Sequence, residues 1–177
     1  MTLSDAAVVA QVLAGDTERF AVLVDRYYGR CLRLAIHIVG HREDAEDAVQ
    51  ETLLRAYRSL SRYQERDRFG SWLFRILVNR CRTALARRNR QRRDALSHAD
   101  MRVEGATDAD WLLREELSRA LAQLSPHTRE AIVLRFVEDL TYEEMAAITG
   151  KSISALKMRV HRGCVQLRAL LPEEQGV

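Results

Sequence analysis

The chain has 177 residues, 47% of them hydrophobic and 30% charged, with a formal net charge of +3. This is a folded composition, which excludes a disordered tail and allows one ordinary domain or two small ones. The small net charge hides an uneven distribution, because basic residues dominate two segments and so point to anionic partners.

The N-terminus, MTLSDAAVV, lacks the basic start of a secretory signal. The longest apolar-looking run, CLRLAIHIV, is too short and too charged to span a bilayer. A cytoplasmic protein with no membrane insertion of its own is expected. No run of alternating β-branched residues occurs and the only prolines are Pro126 and Pro172, so the fold class is all-α. Asp5 to Leu13 reads as a short amphipathic helix stopped by Gly15. Asp16 is the expected N-cap of a helix carrying Phe20, Leu23, Val24 and Tyr27, continued in the same style from Cys31 to Val39 and ended by Gly40. His37 and His41 have the i, i+4 spacing of a metal pair, but Gly40 breaks the helix between them and no third ligand stands nearby, so no metal is expected. Cys31, Cys81 and Cys164 are far apart, odd in number and without CxxC spacing, which reads as buried thiols.

From Glu43 to Leu60 one helix has two faces. Ala45, Ala48, Val49, Leu53, Ala56, Tyr57 and Leu60 form an apolar stripe that requires a core. The other face gathers Glu43, Asp44, Glu46, Asp47 and Glu51 around Gln50 and the apolar Leu54. Two readings stand side by side: a solvated acidic helix start favoured by the dipole, or a docking face in which carboxylates and an amide rim an apolar anchor. A polar loop follows, SRYQERDRFGS, with Tyr63 and Phe69 at its ends, and a long helix is expected from about Ser71 with Trp72, Leu73, Ile76 and Leu77 facing inward. Between Arg75 and Arg93 stand eight arginines and no carboxylate, so repulsion is unrelieved by neighbours in sequence. An anion is the expected partner. A solvated basic helix end and an anionic membrane are the alternatives, the latter disfavoured because the arginines lie beyond the apolar stripe.

Residues 94–110 lose the periodicity and read as a linker between an N-terminal unit, 1–93, and a C-terminal unit, 111–177. Helical pattern returns with Trp111, Leu112, Leu113, Leu117, Leu121 and Leu124. Ser125 and Pro126 open the next helix, whose buried side is expected to be Ile132, Val133, Leu134 and Phe136. Leu140 to Gly163 then reads as a helix-turn-helix: Thr141 and Glu144 as a capping box, Gly150 in the turn and Ser152 starting the second helix. That helix should bury Ile153, Leu156, Val160 and Leu167. Ser152, Ser154, Ala155, Lys157, Met158, Arg159, His161 and Arg162 include the outward positions, with short residues first to enter a major groove and cations later to hold phosphates. A three-helix unit with a merely basic surface is the alternative.

In this order and spacing, DAEDAVQETLLRAYRSL, an aromatic-bounded loop, FGSWLFRILVNRCRTALARR, a linker and LSPHTREAIVLRFVEDLTYEEMAAITGKSISALKMRVHRG closely resemble the extracytoplasmic-function sigma factors of bacteria. The resemblance implies two small helical domains, regions 2 and 4, joined by a flexible linker, and a factor that binds core RNA polymerase and directs promoter-specific initiation under an anti-sigma factor. It places Asp47, Gln50, Glu51 and Leu54 at the polymerase contact. It assigns Tyr63, Arg75, Asn79 and Arg80 to the minus-ten element, where a flipped base is captured; unstacking costs a few kcal/mol and aromatic stacking returns about 1 to 3. It assigns minus-thirty-five contacts to Lys157, Arg159 and Arg162 on the second helix. Departures stand at Ser154 and Ala155, where the family commonly has Gly-Thr, at Met158, commonly Ser, and at Gly163 and Cys164, commonly Ala-Arg. A decoy that titrates an anti-sigma factor and a plain helix-turn-helix repressor are the competing readings. No nucleophile–base or metal constellation occurs, so no catalytic residue and no cofactor are expected.

Overall fold

The computed structural model describes residues 3–64, 68–95 and 109–171, with the side chains of residues 92–95 and 109–115 outside that description. All regular elements among them are helical. Helix α1 (Asp5–Leu13) is capped by Ser4, whose Oγ accepts from the Ala7 amide, and it buries Val8, Val9 and Val12. Gly15 takes φ 110, a value that favours glycine. Asp16 does not cap α2: a single 3₁₀ turn, Thr17–Arg19, comes first, and Asp16 instead accepts from Arg19. Helix α2 (Phe20–Val39) is continuous through Arg30 and ends at Gly40, in the left-handed region at φ 75.

Helix α3 (Arg42–Arg58) buries Ala45, Ala48, Val49, Thr52 and Ala56. Tyr57 is a correction to the expected stripe: it is exposed, with its ring edge-on to Phe20 at 5.2 Å between centroids. Thr52, unexpected inside, satisfies its hydroxyl by donating to the Ala48 carbonyl at 2.7 Å. Helix α4 (Phe69–Ala95) starts two residues before Ser71, because the Phe69 ring is needed in the core beside Tyr27. Gly70 makes that possible; a Cβ there would sit 3.0 Å from the Tyr27 ring.

Helix α5 (Ala109–Gln123) leads through Ser125, whose Oγ accepts from the Thr128 amide, into α6 (Pro126–Ile132). The chain then widens into a π-helical turn, Val133–Val137, before α7 (Tyr142–Thr149) and α8 (Ile153–Leu170). The wider turn rotates the following residues relative to an α-helix. Phe136, expected inside, is consequently 60% exposed, while Glu138 is turned into the interior. Ile153 is also exposed, since it sits at the first position of α8, ahead of the turn that buries Leu156 and Val160. The capping box forms as expected: Glu144 Oε2 accepts from the Thr141 amide at 2.9 Å and Thr141 Oγ1 from the Glu144 amide at 3.2 Å.

The two halves are joined through one continuous buried cluster that runs from Val8 to Val160. Helix α7 packs on α4, and α6 with the π turn packs on α2. The linker expected at 94–110 lies largely outside the described residues; α4 runs to Ala95 and α5 begins at Ala109.

Candidate functional site

On α3, Asp47, Gln50, Glu51 and Leu54 stand at i, i+3, i+4 and i+7, and all four are exposed on one face. Leu54 is 56% exposed. Together with Arg55, Arg58, Ser59, Arg62 and Arg80, Glu51 and Leu54 line an open depression of about 430 Å³. The carboxylates of this helix divide by partner. Asp44 is held by Arg88 at 3.1 Å and Arg87 at 3.7 Å, and Glu46 by Arg42 at 2.8 Å, so these two serve the fold. Asp47 and Glu51 remain on the outward face, Glu51 within 3.7 Å of Arg80.

The residues assigned to the minus-ten element do not form one surface. Tyr63 is half-buried in an aromatic cluster, 5.3 Å from the Trp72 ring and 5.7 Å from the Phe69 ring, so one side of its ring is already packed. Residues 65–67 of the same loop lie outside the described residues. Arg75 and Asn79 share one row of α4, and that row meets the C-terminal half. The Arg75 Nε donates to the Ala147 carbonyl at 2.9 Å, and Asn79 Oδ1 accepts from Arg82 at 3.3 Å. Arg80 points the other way, toward Glu51 of α3 at 3.7 Å.

The arginine run is therefore less isolated than its sequence neighbours imply. Arg80, Arg82, Arg87 and Arg88 all find carboxylates, but on α3 and α6. Arg82 takes Glu130 with two nitrogens, at 2.8 and 2.7 Å, and the Glu130 side chain is only 3% exposed. Across the same junction Arg30 reaches Glu138 at 3.0 Å, whose side chain is 2% exposed. Arg129, also buried, donates to the carbonyls of Leu121, Ala122 and Leu124 at the end of α5 and to Ile38 near the end of α2. Sequence reasoning missed Arg30, Arg82, Arg129, Glu130 and Glu138. The available signal was Glu130 and Glu138 flanking the apolar run AIVLRFV, since charges in such a setting are buried only when paired.

In the helix-turn-helix, Gly150 turns at φ 69 and Ser152 caps α8 by accepting from the Ala155 amide at 3.3 Å. Ser152, Ser154, Lys157, Met158, His161 and Arg162 are exposed, whereas Ala155 and Arg159 are half-buried. Met158 is 51% exposed. The Lys157 ammonium lies 5.6 Å from the centre of the Tyr142 ring, with the Arg135 guanidinium at the same distance from that ring. Among the described residues there is no cluster able to hold a metal, and no helix is long and apolar enough to cross a membrane.

Residues 23–91 match the family Sigma-70 region 2, and residues 114–167 match the family Sigma-70, region 4. The RNA polymerase sigma factor CarQ of Myxococcus xanthus is 37% identical over 163 residues, covering 90% of this chain and 92% of that protein. The ECF RNA polymerase sigma factor SigE of Mycolicibacterium smegmatis is 38% identical over 160 residues, covering 87% of this chain but 62% of the relative. Among solved structures, the sigma factor RpoE in complex with the anti-sigma factor NepR from Bartonella quintana superposes with a TM-score of 0.75 at 28% identity, over 88% of this chain and 98% of that one. The chain belongs to the extracytoplasmic-function sigma factors of the sigma-70 family, which are transcription initiation factors.

Proposed function

We propose that the exposed row Asp47, Gln50, Glu51 and Leu54 on α3 docks the chain on core RNA polymerase, and that the bound chain then directs initiation at promoters read in two places. In this reading residues 1–93 form the region 2 unit, 94–110 the linker and 111–177 the region 4 unit. Tyr63, Arg75, Asn79 and Arg80 act at the minus-ten element. Ser152, Ser154, Ala155, Lys157, Met158, Arg159, His161 and Arg162 act at the minus-thirty-five element. An anti-sigma factor is the expected inhibitor, because the similar RpoE was solved bound to one.

The observation that carries the polymerase contact is Leu54. An apolar side chain more than half exposed, in one row with Asp47, Gln50 and Glu51, is not among the buried residues of α3 and suits a small anchored interface. Leu54→Asp should abolish capture of core polymerase while changing folding stability by no more than about 0.5 kcal/mol, as expected for an exposed position. Unchanged capture would refute the docking face. Run-off transcription with purified core polymerase separates an initiation factor from a decoy or a simple repressor, because only the first starts transcripts.

A further inference from the structure

We propose that Tyr142 is a positioning residue of the minus-thirty-five contact, its ring holding the Lys157 ammonium in place before DNA arrives. The proposal rests on the reading of Lys157 as one of the residues that meet that element. The Lys157 Nζ lies over the Tyr142 ring, 5.6 Å from its centroid. At that range the negative face of an aromatic ring attracts a cation. Among the described residues, Lys157 is the one cation of α8 that meets a ring.

The ring is fixed where the lysine is not. Tyr142 is the first residue of α7, directly after the Thr141 cap, and the reciprocal bonds between Thr141 and Glu144 set its backbone. Its ring is half-buried against the core cluster, and α7 packs on α8. Lys157 is exposed, and a lysine side chain loses much rotamer freedom wherever its ammonium is held to one place. A ring already in position takes up part of that loss in the free chain, which is preorganisation. The kind of hold matters as well. A carboxylate would neutralise the charge and occupy the N–H donors. A ring face leaves the charge whole, and the donors that do not point at it stay free for acceptors on base edges or phosphates. The Arg135 guanidinium shares the ring at 5.6 Å, but its Nη1 is tied to the Leu140 carbonyl at 2.8 Å. Like charges repel, so with Arg135 anchored the mobile Lys157 ammonium is biased toward solvent, the side from which a groove approaches.

The test compares the full-length parent with Tyr142→Phe, which keeps the ring, Tyr142→Leu, which keeps apolar bulk without a π face, Lys157→Ala, and Tyr142→Leu combined with Lys157→Ala. The probes are a fluorescein-labelled duplex recovered from a random pool by the parent and a shuffled duplex of the same composition, with binding read by anisotropy. The contact itself is read without DNA, as the ring-current shift of the Lys157 ε-CH2 protons by NMR. That shift should be present in the parent and Tyr142→Phe and lost in Tyr142→Leu. A cation–π contact at an exposed site corresponds to about two- to fivefold in affinity. Tyr142→Leu should therefore weaken binding to the selected duplex by about that factor and leave the shuffled duplex unchanged, while Tyr142→Phe binds as the parent does. With Lys157→Ala already in place, Tyr142→Leu should have no further effect on the selected duplex. Equal loss in Tyr142→Phe would mean that the hydroxyl touches DNA directly and would overturn the proposal. Tighter binding by Tyr142→Leu would overturn it too, because the ring would then compete with DNA for the lysine. Loss on both duplexes, or loss that persists beside Lys157→Ala, would mark a merely structural role. Unchanged binding by Lys157→Ala alone, with the ring-current shift intact in the parent, would remove the reading of Lys157 beneath the proposal and leave the contact standing.

Discussion

Gly163 is buried where α8 crosses α6, and a Cβ on it would lie 2.6 Å from Ile132 Cγ1 and 3.0 Å from Thr128 Cγ2. The alanine common to the family at this position does not fit the present neighbours. Gly163→Ala should lower the stability of region 4 by about 1 to 3 kcal/mol, the usual cost of overpacking. Combining it with Ile132→Ala should cost less than the sum of the two changes, measured by chemical denaturation, because the second removes the clashing atom. Met158 makes the matching point on the outer side of α8. With Ser154 it leaves the exposed first turns of that helix with a flexible apolar tip among short side chains, suited to thymine methyl groups. Selection from a random duplex pool should therefore return an unusual minus-thirty-five preference, and Met158→Ser should shift it toward the family's usual motif.

At the scale of elements, α7 shows how a local signal becomes a stable helix start. The Thr141 amide bonds the Glu144 carboxylate, and this bond holds the carboxyl below its ordinary pKa, with smaller help from the Thr141 hydroxyl and Arg68. A carboxylate whose folded pKa is depressed contributes stability that is full above its unfolded value and lost as pH falls through the folded one. The gap in melting temperature between the parent and Glu144→Gln should accordingly narrow on acidification. Such features were legible because they are local: the capping box, Ser125–Pro126, Gly40 and Gly150 all involve residues within one turn. The face of α3 was legible for the same reason, since helical spacing alone sorts Leu54 from Ala56. What escaped was non-local or irregular. The π turn that ejects Phe136 and buries Glu138 has no periodic signature, and the partners of Arg30 and Arg82 lie 108 and 48 residues away in the chain. The arginine run looked uncompensated because its carboxylates arrive from α3 and α6.

At the scale of the whole molecule, regions 2 and 4 form one body whose seam carries a titratable group. His37 of α2 lines a gap of about 20 Å³ with Gly40, Ser118, Leu121, Ala122 and Arg129. Burial, and then the Arg33 guanidinium on its own helix, hold the imidazole below its ordinary pKa; from α6 the facing charge is Arg129, also a cation. The neutral ring therefore belongs to the folded form, and its contribution to stability is full above the ordinary histidine range and lost as pH falls through it. Between about pH 7.5 and 5 the melting temperature should decline more in the parent than in His37→Gln. Cys31 and Cys81 register the same seam in another chemistry. Both are 0% exposed, and each has its pKa pushed up to about 12, by burial first and then by Glu138 for Cys31 and Glu130 for Cys81. The pair is chemically silent at neutral pH while this core stays shut, and alkylation of either thiol would timestamp its openings.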